Sequence, residues 1–523
     1  MSDALRFEDL EAEFGALRDA FGGLVVARHR GADVVTVARA YARRRIAFAA
    51  RLANAEEGPS AGVERAGLAS IRSTLAWMDE FEPVDDSGAG AGATGATGVT
   101  APDEAAGTDL RRRTVDAYGA AAAAIRVGDE VIDRLTALGR LATEPDPARR
   151  RAIFEALAPV WRAVDGDGGD GPSPYRDLLR SSAATWARDG SPVEAAAMAL
   201  GMAPGSLEPA LRAILAEWRA VLGPGPIEPW DYRYVVGAME RRLGSLVPRE
   251  RLLAINDAHL ASLGADPVRL GIQYDVEPRP GRPLIPVAFT ISEDVARRAA
   301  DGSWRAATPW VFATYADGGL GNLEELVHES GHALHYAAIR ARPAFFEPPV
   351  EAGGLVEGIA DMLGWDVHEP AFQARHLGPS CDRRESRLGR YGGVMLDVCW
   401  ALFEIELHRD PGRWPNEAWA EITEAGLGIV PHPEWSWWAI RGQLVESPGY
   451  MANYALAAIV AAALRARIRA VRGEWQGGDP GWFNFVSEHL LRFGADRSPA
   501  DVLESFLGRT LGVDPLVSDL TAT

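Results

Sequence analysis

The sequence predicts a mainly α-helical protein with one small β-sheet, and three observations lead to this prediction. Apolar residues recur at spacings of three and four over most of the 523 residues, which is the period of an amphipathic helix. Runs of β-branched and aromatic residues bounded by Gly and Pro are concentrated between residues 272 and 319. After residue 323 the helical period returns and continues to the end of the chain.

The first half of the chain contains helical patterns separated by segments rich in Gly and Pro. Residues 1–83 have the spacing of two or three helices, and residues 109–163 are again predicted to be helical. Between them, residues 84–108 form a Gly/Ala/Thr tract with too little side chain to bury, so we predict a flexible loop. Residues 175–265 return to the helical pattern.

The character of the chain changes at Ile272. The segments 272–292 and 304–319 carry the β-branched and aromatic runs, and they immediately precede a helical segment. We therefore predict a small sheet next to that helix. We also divide the chain into an N-terminal helical region, residues 1–220, and a second region, residues 221–523, which contains the sheet and the chemistry.

Composition excludes several classes of partner. The formal net charge is −19, and a chain this acidic is repelled by phosphate backbones and anionic lipid, so we expect neither nucleic acid nor a membrane as partner. The N-terminus carries acids from its third residue and lacks the apolar core of a signal peptide. The most apolar stretch, residues 455–464, is too short to span a bilayer and predicts a buried helix. Only two cysteines are present, which excludes a disulfide scaffold and fits a cytoplasmic location.

A candidate metal site lies in the stretch LEELVHESGHALHY. Positions four apart on a helix share one face, so His328 and His332 can present both imidazoles to one ion. Glu329 is one step further around the helix and can reach a water on that ion without being a ligand. Asn322 can cap this helix, with Glu325 three residues later as its capping-box partner.

A catalytic zinc usually has three protein ligands and a water, so a third ligand is expected. The downstream segment EAGGLVEGIADMLGW offers Glu351 and Glu357. Glu357 has Asp361 four residues later on the same helical face, where a carboxylate can hold the outer N–H of a ligating histidine. Glu351 lacks such a partner, and we leave it as a surface or cleft carboxylate. We therefore predict one zinc ion bound by His328, His332 and Glu357, with Asp361 as the orienting residue.

These motifs resemble a known group of enzymes. HESGHALH followed by LVEGIADML is similar to the gluzincin metallopeptidases related to the thimet oligopeptidase and oligoendopeptidase F family, with similarities to the angiotensin-converting enzyme and carboxypeptidase Taq families. SPGYMANYALA and EPRPGRPLIPVAF, in which Arg282 replaces a lysine of the oligopeptidases, extend the resemblance over residues 270–460. The resemblance implies two helical halves that enclose a deep substrate channel, and oligopeptides as substrates.

The resemblance also implies roles for single residues. Tyr450 and Tyr454 lie where this group keeps its transition-state tyrosines, and we favour Tyr454 as oxyanion donor and Tyr450 as substrate contact. The substrate of these families pairs with the edge of a small sheet; residues 310–319 are our candidate edge, and an internal strand is the alternative. His335 is expected to be a packed or cleft-lining side chain, and a substrate contact of His432 stays open.

The leading hypothesis is a zinc-dependent peptidase in which Glu329 is the general base for a zinc-activated water. A second hypothesis keeps the zinc but has a small-metabolite amide as substrate. A third is a zinc-binding protein without turnover, although a purely structural zinc has no use for Glu329. Whether cleavage is internal or at the C-terminus, and which family within the group fits, stay open.

Overall fold

The computed structural model describes residues 6–56, 63–81, 102–168, 171–280, 285, 287–349 and 353–522. The α-helices are α1 (Phe7–His29), α2 (Val35–Glu56), α3 (Val63–Phe81), α4 (Pro102–Ala123), α5 (Arg134–Thr143), α6 (Pro147–Glu155), α7 (Ala158–Asp165), α8 (Pro174–Asp189), α9 (Pro192–Ala199), α10 (Leu207–Leu222), α11 (Tyr232–Val236), α12 (Ala238–Leu243), α13 (Leu252–Ser262), α14 (Pro267–Leu270), α15 (Leu320–Ala338), α16 (Gly353–Gly364), α17 (Pro370–His376), α18 (Arg383–Arg409), α19 (Pro415–Leu427), α20 (Gln443–Glu446), α21 (Met451–Arg472), α22 (Trp482–Val486), α23 (Pro499–Leu507) and α24 (Asp514–Thr521). The strands are β1 (Ile125–Val127), β2 (Glu130–Ile132), β3 (Gln273–Asp275), β4 (Phe289–Ser292), β5 (Arg297–Arg298), β6 (Trp304–Arg305) and β7 (Pro309–Phe312). The predicted mainly α-helical fold is confirmed, and no helix within the described ranges is long and apolar enough to cross a membrane.

Buried apolar side chains form two clusters. The smaller cluster joins α1, α2 and α3 to strands β4 and β7 and includes Phe21, Ile291 and Phe312. The larger cluster contains side chains from most of the other helices; in it, Tyr175 of α8 packs against Trp438 with ring centroids 4.6 Å apart. Helices from the first 220 residues thus share a core with helices near the C-terminus, and the division into two regions stays a prediction.

The small sheet expected beside the HESGH helix has three strands in the order β3–β7–β4. β7 pairs in parallel with β3 and antiparallel with β4, where Phe312 lies opposite Phe289. The prediction of a substrate edge is therefore wrong for residues 310–312, and the alternative of an internal strand is correct there, because the main-chain groups of β7 are used on both sides. Residues 313–319 lie beyond the strand. Within the described ranges, the free edges of this sheet belong to β3 and β4.

Helix α15, which carries HESGH, begins earlier than predicted. Its first residue is Leu320, so Asn322 lies inside the first turn and its amide donates to carbonyls of the preceding loop. The backbone amides of Leu320 and Gly321 donate to Glu240 of α12, at 3.0 Å and 3.3 Å. The predicted capping box of Asn322 with Glu325 is therefore wrong, since a carboxylate from a distant helix satisfies these amides.

The predicted loop over residues 84–108 overlaps a helix. Because α4 begins at Pro102, residues 102–108 are helical, and the Pro-Asp-Glu sequence at this start is typical of a first helical turn. Residues 84–101 of the predicted loop lie outside the described residues.

A short hairpin interrupts the segment 109–163, which we predicted to be helical. β1 and β2 pair antiparallel with Ile125 opposite Ile132, and a two-residue turn joins them. Gly128, the first turn residue, has φ of 62°, a conformation that glycine adopts without strain. The helical prediction is wrong for these residues because the Gly-Asp turn outweighs the helical spacing around it.

Helices α15, α16 and α21 pack closely because glycines stand where they cross. A Cβ atom at Gly331 of α15 would lie 2.8 Å from the Cα of Ala360 in α16. A Cβ atom at Gly358 of α16 would lie 2.7 Å from side-chain atoms of Val460 in α21. Both separations are too short for a larger residue, so these two glycines set how closely α16 approaches its neighbours.

We predict that Gly331→Ala lowers the melting temperature and weakens zinc binding, because the added methyl group forces α15 and α16 apart; overpacking of this kind costs about 1–3 kcal/mol. Gly321→Ala is the matched control, since it lies in the same helix with no atom near its missing side chain. Thermal unfolding and zinc titration of both variants measure the effect. Equal melting temperatures for the two variants would contradict the packing constraint.

Candidate active site

His328 and His332 extend from one face of α15. Their ring centroids are 4.9 Å apart and the ring planes are inclined by 85°. Burial lowers the pKa of His332 to about 3, so this ring is neutral at physiological pH, the form in which imidazole binds a metal. Burial also disfavours the charged form of His328, but hydrogen bonds from the ring to Asp361 and Glu357 raise its pKa above the usual range.

Glu357 comes from α16 and approaches both histidines. Its Oε2 lies 3.4 Å from Nε2 of His328 and 3.8 Å from Nε2 of His332. Around a tetrahedral zinc with bonds of about 2.0–2.1 Å, neighbouring ligand atoms are roughly 3.4 Å apart, so the three side chains fit one ion. Glu329 also has an oxygen within 4.8 Å of ring nitrogens of both histidines. The ligand role of Glu357 stays a prediction, and Glu351 lies outside the described residues.

Asp361 holds the ring of His328. Its Oδ1 lies 2.8 Å from Nδ1 of His328, which leaves Nε2 directed toward Glu357. Burial raises the pKa of Asp361, although the hydrogen bond with His328 opposes that shift. A carboxylate in this place fixes the orientation of the imidazole and increases its basicity as a ligand.

Glu329 is buried between α15 and strand β4. The hydroxyl of Thr290 donates to Oε2 of Glu329 at 2.7 Å and lies 3.0 Å from the backbone carbonyl of the same residue. Burial raises the pKa of Glu329 to about 7, despite the opposing effects of His328 and Thr290. A carboxylate with a pKa near neutrality can both accept and return a proton. Thr290 has no signal of its own in the sequence, since the strand that carries it meets the helix only in the fold.

Tyr450 and Tyr454 lie at the start of α21, with ring centroids 5.4 Å apart. Burial and the charge of Glu357 raise the pKa of both phenols, so both hydroxyls stay protonated and can donate hydrogen bonds. The hydroxyl of Tyr450 interacts with the carboxylate of Glu357. Tyr454 interacts instead with Gln443, and the guanidinium of Arg441 lies 5.8 Å from its ring centroid.

A buried carboxylate fixes the start of α21. Glu404 of α18 accepts hydrogen bonds from the backbone amides of Gly449 at 2.6 Å and of Met451 at 3.1 Å. Gly449 has φ of 92°, and a Cβ atom there would lie 3.0 Å from Trp186. Tyr450 lies between the two residues whose amides are held, so Glu404 fixes the backbone position of Tyr450. Burial raises the pKa of Glu404 to about 8, although the two amides oppose that shift.

Two further histidines have partners of their own. His335 is buried, with Nε2 at 3.4 Å from the carbonyl of Phe493. His432 lies between Glu434 at 2.7 Å and Glu228 at 3.0 Å. A packed role for His335 agrees with these contacts, and the two carboxylates account for the position of His432.

We predict that Asp361→Asn weakens zinc binding about 10- to 100-fold, because the amide keeps a hydrogen bond to His328 but removes the charge that increases its basicity. Asp301→Asn, in an exposed turn, is the matched control. Zinc dissociation constants from competition with a chelator test this, with melting temperatures as a check of folding. Equal zinc affinity in the two variants would show that Asp361 does not act on His328.

Comparison with known proteins gives matches only at the level of three-dimensional structure. No protein-family model and no curated protein matches the sequence. Trypanosoma cruzi metallocarboxypeptidase 1 is similar in structure with a TM-score of 0.55 at 14% identity, over 99% of this chain and 99% of that one. The M32 carboxypeptidase from Deinococcus radiodurans R1 has a TM-score of 0.50 at 15% identity, over 98% and 97%. PZ peptidase A with an inhibitor has a TM-score of 0.56 at 12% identity, over 99% and 97%. The chain thus shares its overall fold with these peptidases over nearly its whole length.

Proposed function

We propose that the protein is a zinc-dependent peptidase that hydrolyses short peptides. One observation carries this proposal: ring nitrogens of His328 and His332 and a carboxylate oxygen of Glu357 converge beside a second, buried carboxylate, Glu329. A site that only stores or structurally uses zinc does not need that second carboxylate. The metallopeptidase fold supports the same activity.

Zinc bound by His328, His332 and Glu357 would act as a Lewis acid that lowers the pKa of a water to about 7 and polarises the peptide carbonyl. Glu329 accepts the proton of the attacking water and delivers it to the leaving amine. Thr290 holds the carboxylate of Glu329 in place during both transfers, since its hydroxyl donates to Oε2 at 2.7 Å.

The developing oxyanion needs a hydrogen-bond donor, and we assign that role to Tyr454. Burial and the charge of Glu357 raise the pKa of this phenol, so its hydroxyl stays protonated and can donate a hydrogen bond to the oxyanion. Tyr450 is engaged with Glu357 and is assigned to substrate contact.

We infer that the peptide main chain pairs with the free edge of β4. This edge is adjacent to the general base, because Thr290 of β4 bonds to Glu329. Main-chain pairing gives affinity without selecting side chains, which suits an enzyme for varied short peptides. We also expect the enzyme to act in the cytoplasm, where buried free thiols such as Cys381 and Cys399 stay reduced.

We predict that Glu329→Gln lowers kcat/KM by about 10²- to 10⁴-fold while zinc stays bound, because the amide cannot accept the proton of water. Glu417→Gln, exposed on α19, is the matched control. Digestion of a mixed peptide library read by mass spectrometry, together with zinc analysis, measures both quantities.

Unchanged hydrolysis by Glu329→Gln would eliminate the general-base mechanism. Stoichiometric zinc in a wild-type protein that cleaves no peptide would favour an amide of a small metabolite as substrate, or a protein without turnover.

We predict that Tyr454→Phe lowers kcat by about 10²- to 10³-fold with little change in KM, because it removes a donor to the transition state. Tyr450→Phe should mainly raise KM. Steady-state kinetics on one defined peptide distinguishes the two. A loss of kcat in Tyr450→Phe alone would exchange the two assignments.

A further inference from the structure

A cavity separate from the candidate active site lies at the C-terminal end of α15. Its volume is about 580 Å³, and it is bordered by α3, by the β5–β6 hairpin and by the residues that follow α15. The last residue of α15, Ala338, is six residues beyond His332, which is roughly 9 Å along the helix axis. None of the described residues that line the cavity belongs to the candidate active site. A cavity of this size accommodates a small organic molecule.

Positive charge dominates the lining of this cavity. Its border includes four arginines, namely Arg297, Arg298, Arg340 and Arg342. Asp19 pairs with the first of them, and Glu11 pairs with the last. Asp496 is the only acid among the described lining residues, and it is exposed, so water screens its charge. The chain as a whole has a net charge of −19, so this cavity is a local place where an anion is attracted instead of repelled.

Arg298 and Arg340 have no carboxylate partner within the described part of the chain. Arg298 donates from Nη1 to the carbonyl of Gly302 at 3.2 Å. Arg340 donates from Nη1 to the carbonyls of Ala337 and Ile339, at 2.9 Å and 2.8 Å. In both side chains the Nε and Nη2 donors are left without a hydrogen-bond partner among the residues that the structure describes. Each guanidinium can therefore donate to a ligand without breaking an existing contact.

Arg340 also carries its charge in an unfavourable environment. Its side chain is half-buried, and burial together with the charge of Arg492 lowers its pKa. Glu488 opposes that shift, but Glu488 is already paired with Arg492 at 2.9 Å. A cation that is partly removed from water and has no acid of its own is stabilised by a bound anion.

The rest of the lining offers flat, uncharged surface. Trp304 of β6 is half-buried, and the guanidinium of Arg298 lies 5.5 Å from the centroid of its ring. Pro343 and the buried Phe345 line the cavity as well. The cavity thus combines hydrogen-bond donors for an anionic group with a surface against which an aromatic ring can pack.

We propose that this cavity binds an organic phosphate of nucleotide size, with its phosphate oxygens on Arg298 and Arg340 and its ring against Trp304. The two arginines belong to different segments, β5 and the chain after α15, and so they reach a ligand from different sides. A phosphate group has several oxygens in a tetrahedral arrangement and can accept from both guanidinium groups, whereas a planar carboxylate is matched to one. The inference is independent of the proposed peptidase function, because the lining residues take no part in that chemistry.

Calorimetry on the zinc-loaded protein tests the proposal with four probes: ADP, pyrophosphate, adenosine and citrate. We expect one ADP per chain, bound about 10-fold more tightly than pyrophosphate because of the ring contact, and no binding of adenosine. Adenosine bound as tightly as ADP, or no heat of binding with about 1 mM ADP, would overturn the proposal. Citrate bound as tightly as ADP would overturn it in favour of an unselective anion site.

Variants locate the binding. Arg298→Met should weaken ADP binding about 10- to 100-fold, the effect expected for hydrogen bonds to a charged group, and Arg298→Lys should keep part of the affinity. Trp304→Leu should weaken ADP binding but leave pyrophosphate binding unchanged. Arg126→Met is the matched control, since it removes an exposed arginine from another two-stranded hairpin. An unchanged ADP affinity in Arg298→Met, at an unchanged melting temperature, would overturn the assignment.

Phosphates also bind zinc, and a further comparison separates the two sites. ADP in the cavity should bind equally well before and after zinc is removed with a chelator, provided that the protein stays folded. Binding that disappears with zinc but persists in Arg298→Met would place ADP at the candidate active site and overturn the proposal. Peptide hydrolysis does not enter any of these measurements, so a protein that cleaves no peptide would reject the proposed function and leave the phosphate site intact.

Discussion

The close crossing of α15 with α16 is the constraint on which the candidate site depends. His328 and His332 belong to one helix, and their common face follows from helical geometry alone. Glu357 belongs to another helix, and its carboxylate reaches both rings only because Gly331 lets the two backbones approach until no side chain fits between them. Gly358 does the same on the opposite side of α16, against α21. The two glycines thus set the distance between the proposed metal ligands and the tyrosines. Displacements of about 1 Å are enough to impair catalysis in enzymes of known mechanism.

A buried polar network holds α16 at that distance. Asp366, just beyond the C-terminal end of α16, accepts hydrogen bonds from Arg465 of α21 at 2.6 Å and from Trp475 at 3.0 Å, and lies 3.1 Å from Nε2 of His259. Arg465 also donates to the carbonyl of Met362, in the last turn of α16. Charged and polar groups that are removed from water must be paired with partners in a suitable geometry. The hydrogen bonds of this network therefore restrict the orientation of α16 more than apolar packing would. Glycines therefore permit the close approach, while the network determines the orientation in which it occurs.

The sequence predicts the parts of the site that lie within one helix, and it also predicts that the carboxylates of α16 meet the histidines of α15, but it misses the other contacts between elements. The residues of HESGH lie within about one helical turn, and so do Glu357 and Asp361. Helical periodicity alone therefore predicts that the members of each set share one face, as they do in the fold. The support of Glu329 by Thr290, and of α21 by Glu404, joins segments far apart in the chain, and no local pattern announces such a contact. The internal position of β7 could not be predicted either. An apolar strand has the same sequence pattern whether one or both of its edges are paired with other strands. The β1–β2 hairpin is different: its Gly-Asp turn is a local signal that the helical spacing around it obscured.

Helix α18 positions two groups beside the candidate site. Glu404 anchors the first turn of α21, and with it Tyr450. Asp397, two turns earlier in the same helix and roughly 10 Å away along its axis, holds Arg441. Because a regular helix has a fixed rise per residue, the separation between Arg441 and the first turn of α21 is set by helix geometry. Arg441 lies beside Tyr454, so α18 positions both the backbone at Tyr450 and the cation next to the second tyrosine.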